Sequence, residues 1–82
     1  MKLKQVGSNM TELRLDDAEG FDAVHILFSY ETPVAAWVCG QGFLRTSERY
    51  SQTTTRHINK WLDGRTADER PQAFFYDLVK GE

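Results

Sequence analysis

Thr11-Glu12-Leu13-Arg14-Leu15-Asp16 alternates polar and apolar positions with period two, which places Leu13 and Leu15 on one face of a half-buried strand. Asp16-Asp17-Ala18-Glu19-Gly20 then reads as a turn, because Asp and Gly accept the backbone conformations that turns require. Upstream, Lys2 to Met10 alternates weakly on Leu3 and Val6 before Gly7-Ser8-Asn9, and predicts a short edge strand or an ordered arm. Phe21 to Tyr30 carries the strongest strand signal. Val24, Ile26 and Phe28 share one of its faces and His25, Leu27 and Ser29 the other, so both faces are largely apolar and the strand is central. Glu31-Thr32-Pro33 is expected to end it, since Pro lacks the amide proton that a central ladder needs. A turn at Thr32-Pro33 makes Val34 to Cys39 its antiparallel neighbour, with small Ala35 and Ala36 leaving room for another element to approach. Gly40-Gln41-Gly42 is a second tight turn, and Phe43 to Ser47 pairs back as the next strand.

The period changes after Tyr50. Ile58, Trp61 and Leu62 recur at helical spacing, Ser51, Thr53 or Thr54 offers a capping hydroxyl, and Gly64 is placed to stop the helix in the left-handed conformation. Arg56, Asn59, Lys60 and Asp63 point the other way. Arg65 to Arg70 reads as a polar connection with a capping pattern at Thr66-Ala67-Asp68-Glu69. After Pro71, the apolar positions Phe74, Phe75, Leu78 and Val79 predict a second short helix, while the alternation of Phe74, Tyr76 and Leu78 leaves a final strand open over 71–79. The expected fold is α+β. An antiparallel meander of four to five strands carries one amphipathic helix, at about 53–63, on one face, with a short C-terminal helix beside it.

At 82 residues the chain is expected to form a single domain, 1–82, with a thin stability margin. A hydrophobic content of 40% with 27% charged residues argues against wholesale disorder. Cys39 is the one cysteine, so no internal disulfide forms; a buried thiol in a reducing, cytoplasmic setting is expected. No segment has the pattern of a signal peptide or a membrane span, and no membrane partner is expected. The net charge of −2 conceals a polarity along the chain. In the first 33 residues Glu12, Asp16, Asp17, Glu19, Asp22 and Glu31 outnumber Lys2, Lys4 and Arg14, whereas in 34–62 Arg45, Arg49, Arg56 and Lys60 face Glu48 alone. The tail is acidic again. The acidic turn from Asp16 to Asp22 and the basic middle are both available as binding surfaces.

No constellation in the chain has the spacing of a reaction centre. His25, His57 and Cys39 are scattered over two strands and a helix, without the paired spacing of a metal site, so no metal, cofactor or catalytic residue is assigned. The acidic turn lacks the ligand order of a calcium loop, and Gly40-Gln41-Gly42 lacks the lysine of a phosphate loop. Arg45, Arg49, Arg56 and Lys60 lie close enough in sequence to form one basic patch, with Tyr50 or Trp37 placed to stack on a base. A sequence pI of about 5.6 is low for a nucleic-acid module, so a protein contact is the competing use of that patch.

Two stretches, Phe28-Ser29-Tyr30-Glu31-Thr32-Pro33-Val34-Ala35-Ala36 and Tyr50-Ser51-Gln52-Thr53-Thr54-Thr55-Arg56-His57-Ile58-Asn59-Lys60-Trp61-Leu62, resemble a family of small, mostly uncharacterised bacteriophage and prophage proteins. Together with their spacing they cover about half the chain, from Leu27 to Gly64; Thr55 stands where serine is frequent in that family. The resemblance implies a genomic setting and supplies no catalytic or ligand-binding residues. Small phage proteins without catalytic motifs are frequently host-takeover or anti-defence factors that bind and block a larger machine. The expectation is therefore a non-enzymatic interaction protein of the host cytoplasm, monomer or homodimer, that blocks a host protein or ribonucleoprotein, as anti-CRISPR inhibitors do. The expected partner-binding residues are Arg45, Arg49, Tyr50, Arg56, Asn59 and Lys60. A nucleic-acid-binding regulator using the same basic patch is the alternative.

Overall fold

A computed structural model of the chain describes residues 2–7, 9–15 and 24–80. The period-two stretches form five strands, β1 (Lys2–Gly7), β2 (Met10–Leu15), β3 (Val24–Ser29), β4 (Thr32–Val38) and β5 (Gly42–Thr46), each antiparallel to the one before. Helix α1 (Gln52–Leu62) follows, then strand β6 (Asp68–Arg70) and helix α2 (Gln72–Lys80). β6 pairs parallel to β5, so the six strands lie in sequence order across one sheet. The architecture is α+β.

The two faces of the sheet bury separate cores. Met10, Leu27, Val34 and Ala35 meet Ile58 and Leu62 of α1, with Val6, Phe43, Trp61 and Ala67 packed around them. Leu13, Ile26, Ala36 and Leu44 meet Phe75 of α2 on the opposite face, with Val24, Phe28, Val38, Phe74 and Leu78 alongside. The expected sharing of faces in β3 holds, and Ala35 and Ala36 admit one helix each. α2 does not lie beside α1. The reason is chemical: β3 and β4 are apolar on both sides, and one helix covers only one of them.

Several local expectations shift. The β3–β4 turn is Tyr30-Glu31, with Ser29 opposite Thr32, so Thr32 and Pro33 belong to β4. Pro33 is tolerated because the register slips there: Leu27 faces Ala35 and Phe28 faces Pro33, leaving Val34 as the extra residue of a β-bulge. The bulge turns Val34 to the same side as Ala35, where both join the α1 core. β6 replaces the expected polar connection; its three charged residues carry no apolar alternation from which a strand is readable. Residues 72–80 are helical, which settles the open choice there. Ser51 caps α1, accepting from Thr54 N–H at 3.3 Å, and Asp63 takes the first left-handed position, at φ 52°, ahead of Gly64 at 84°. Cys39 is exposed in the β4–β5 turn, not buried. The acidic turn from Asp16 to Asp22 lies outside the described residues.

The N-terminus of α2 is tied to the sheet by one amide. Gln72 donates from Nε2 to the Pro33 carbonyl at 2.6 Å and accepts from Thr46 Oγ1 at 2.7 Å. Phe75, one turn on, is wholly buried, whereas its neighbour Tyr76 is 48% exposed. Phe75→Ala is expected to cost about 3–5 kcal/mol through the cavity it leaves, and Tyr76→Ala less than about 0.5 kcal/mol; guanidinium unfolding of the two variants beside the parent chain measures both.

Candidate functional site

The polar chemistry of the molecule gathers on the side of the sheet that α1 covers. Ser29, only 2% exposed at the end of β3, shares its hydroxyl with His57 Nδ1 at 2.7 Å and Thr54 Oγ1 at 3.1 Å. These contacts pin the first half of α1 to the sheet. The serine–histidine contact is not an open nucleophile, because the hydroxyl lies beneath the helix and is engaged twice. The His57 ring packs on Tyr30 at 5.7 Å between centroids. Tyr30 sits at φ 58°, a conformation that a bulky side chain rarely adopts, and its N–H donates to the carbonyl of Asn9, itself at φ 60°, at 2.8 Å. The β1–β2 and β3–β4 turns are thereby joined at one end of the sheet.

Beside the N-terminal half of α1, Arg45, Arg49 and Tyr50 line an open cavity of about 430 Å³ together with Thr55 and Glu69. Arg45 faces α1 from β5, and Arg49 and Tyr50 come from the link that leads into the helix. Burial pushes the Tyr50 hydroxyl above its ordinary pKa, with Tyr76 and Glu48 adding to the shift. Of the expected partner-binding residues these three share a place. Arg56, Asn59 and Lys60 are exposed on α1 but do not line this cavity. Among the described residues the one close ion pair is Arg14–Glu12, so none of these four cations is held in such a pair with a described residue.

A second cavity, of about 320 Å³, opens near the C-terminal end of α1 and was not anticipated as a unit. Glu12, His25, Trp37, Phe43, Trp61 and Arg65 line it. The strand registers set the floor: Arg14 lies opposite His25, His25 opposite Trp37, and Trp37 opposite Phe43. His25 and Trp37 tilt together at 5.6 Å, Trp61 meets Phe43 edge-on at 5.6 Å, and the Arg65 guanidinium lies 5.3 Å from the Phe43 ring centre. Glu12, 6% exposed, accepts from Trp61 Nε1 at 2.8 Å and from Arg14 Nε at 2.6 Å. Burial by itself would raise the Glu12 pKa. The hydrogen bonds from Trp61 and Arg14, with the charges of Arg14 and His25, outweigh it and hold the carboxyl below its ordinary 4.5.

Trp37 belongs with His25, Phe43 and Trp61, not with the basic patch beside which the sequence sets it. His25 shares a strand face with apolar Leu27 whereas Glu12 lies on the polar face of its strand with Arg14, and their convergence depends on a register that single strands do not reveal. His25, His57 and Cys39 occupy three separate places, with no hydrogen bond between any two of them. Among the described residues no three of His, Cys, Asp and Glu gather into a group able to hold a metal ion, and no helix is long and apolar enough to cross a membrane.

Residues 1–77 match a family of unknown function, DUF8033. The chain belongs to that family. No curated protein and no solved structure matches it.

Glu12 links the second cavity to stability. A carboxyl with a lowered folded-state pKa stabilises the fold when ionised, in full above its unfolded value near 4.5, and loses that contribution as pH falls through the folded value. Glu12→Gln is therefore expected to melt lower than the parent chain at neutral pH and to lose less of its melting temperature on acidification below about pH 4.5. Thermal melts across that range check this, and parallel curves for the two proteins would contradict it.

Proposed function

We propose that this chain is a phage-encoded, non-enzymatic interaction protein that binds and blocks a host protein or ribonucleoprotein in the host cytoplasm, as an anti-defence inhibitor of the anti-CRISPR type does. The observation that carries the reading is the convergence of Arg45, Arg49 and Tyr50 on one open cavity. Two guanidiniums outside any close ion pair with a described residue, beside an aromatic with a polar tip, suit carboxylate or phosphate groups on a partner surface, and Arg and Tyr are residue types that dominate binding energy at interfaces. The likeness of the two central stretches to phage and prophage proteins supplies the setting.

A nucleic-acid-binding regulator that uses the basic patch of Arg45, Arg49, Arg56 and Lys60 is the second reading, and the aromatic cavity that Arg65 lines offers it rings on which bases can stack. It requires affinity for DNA or RNA that falls steeply with salt and weakens in Arg56→Glu and Lys60→Glu.

The leading reading is tested by affinity capture from host lysate with the tagged parent chain and the Arg45→Glu/Arg49→Glu double variant. A stoichiometric protein or ribonucleoprotein partner is expected with the parent chain and at least about tenfold less of it with the variant, at an unchanged melting temperature. Capture of no partner, or equal capture by both proteins, would overturn the assignment.

A further inference from the structure

We propose that the cavity between β2–β5 and the C-terminal half of α1 is a base pocket, which takes an amine-bearing nucleobase of a single-stranded nucleic acid, namely adenine, cytosine or guanine. The inference deepens the nucleic-acid reading and rests on it for the class of ligand.

The rings come first. His25, Trp37, Phe43 and Trp61 are all half-buried, so each keeps an accessible portion at the cavity wall. Four aromatics around about 320 Å³ make a space at the lower end of the range for ligand pockets. Such walls suit a flat, π-faced group, and base–aromatic stacking is the main sequence-tolerant source of affinity for single strands.

Charge then selects among flat or cation-seeking groups. One carboxylate, Glu12, lies in the cavity, but Arg14 is bonded to it, Arg65 borders the same space, and Lys4 is its register partner on β1. Among the described residues, three cations to one anion disfavour an incoming ammonium or guanidinium, which would otherwise be the natural occupant of an aromatic box. They favour a ligand whose ring is neutral and whose attached chain is anionic. A nucleotide has that combination, with Arg65 in the cavity wall and Arg14 beside Glu12 for its phosphates.

Glu12 supplies the discrimination. An ionised carboxylate only accepts hydrogen bonds, and its two oxygens have room for more than the two donors from Trp61 and Arg14. The exocyclic amines of adenine, cytosine and guanine donate to it. Uracil and thymine set carbonyl oxygens on both sides of their one ring N–H, and these repel a carboxylate.

The test is fluorescence anisotropy at low salt with labelled oligo(A), oligo(C) and oligo(U) against the parent chain, Trp37→Leu and Glu12→Gln, each checked for folding by thermal melt. The parent chain is expected to bind oligo(A) and oligo(C) at least about fivefold tighter than oligo(U). Trp37→Leu should weaken all three by about fivefold or more, and Glu12→Gln should erase the preference among them. Quenching of tryptophan fluorescence in the parent chain by AMP and CMP above UMP and inorganic phosphate is the companion measurement, and it decides the matter if a variant does not fold. Binding that is unselective and unchanged in both variants would overturn the pocket while leaving the nucleic-acid reading standing. Absence of binding to any oligonucleotide would overturn both, as would quenching by inorganic phosphate alone for the pocket.

Discussion

The rest of the structure depends on the burial of the β3–β4 hairpin on both of its faces. Ile26 and Ala36 are sealed on one side and Leu27 and Ala35 on the other, all without measurable exposure. A sheet with a single apolar face needs one covering layer; this one needs two, and 82 residues leave little chain to supply them. Two short helices on opposite faces are the economical answer. The alanines set their distance, since a larger side chain at either position would lift a helix off the sheet and uncover the neighbours that it seals.

The two layers are held by different physics. α2 rests on apolar contact centred on Phe75, with Gln72 as its polar anchor. α1 adds to its buried Ile58 and Leu62 a set of directed contacts, Ser29 with Thr54 and His57 at one end and Glu12 with Trp61 at the other. Directed contacts fix rotation as well as position, so the side chains around α1 meet the sheet in one arrangement. Both cavities that gather cations and aromatics border that helix.

Element type was legible wherever the period of the sequence was clean. β3 could be read with its faces, α1 to within a residue at each end, and the role of Ala35 and Ala36 from their size. What escaped had no local signature. β6 is Asp68-Glu69-Arg70, three charged residues that become a strand only because β5 offers them an edge. Pro33 argued for a turn that ends a strand, and the bulge that accommodates it inside β4 depends on Val34 finding space beneath α1. The opposite placement of α2 followed from the two-sided burial of β3, a consequence available from the sequence but not carried to the second helix. Of the candidate surfaces, Arg45, Arg49 and Tyr50 lay close enough along the chain to be grouped correctly. Glu12, His25, Trp37 and Trp61 span most of the chain, and only strand register brings them together.

The position of β6 also sets how the front of α2 is held. It meets β5 only after the chain has travelled the whole of α1, so its parallel ladder closes a long loop for three residues of pairing. The meander has no such debt, each strand lying beside its sequence neighbour. The β6 edge is held by three residues of pairing, the fewest between any two neighbouring strands of the sheet. Gln72 follows within two residues of β6 and reaches back to Thr46 and Pro33. Fraying of the outermost strand accordingly releases the front of α2, and a slow amide at Phe75 would report on the sheet edge as much as on the helix that carries it.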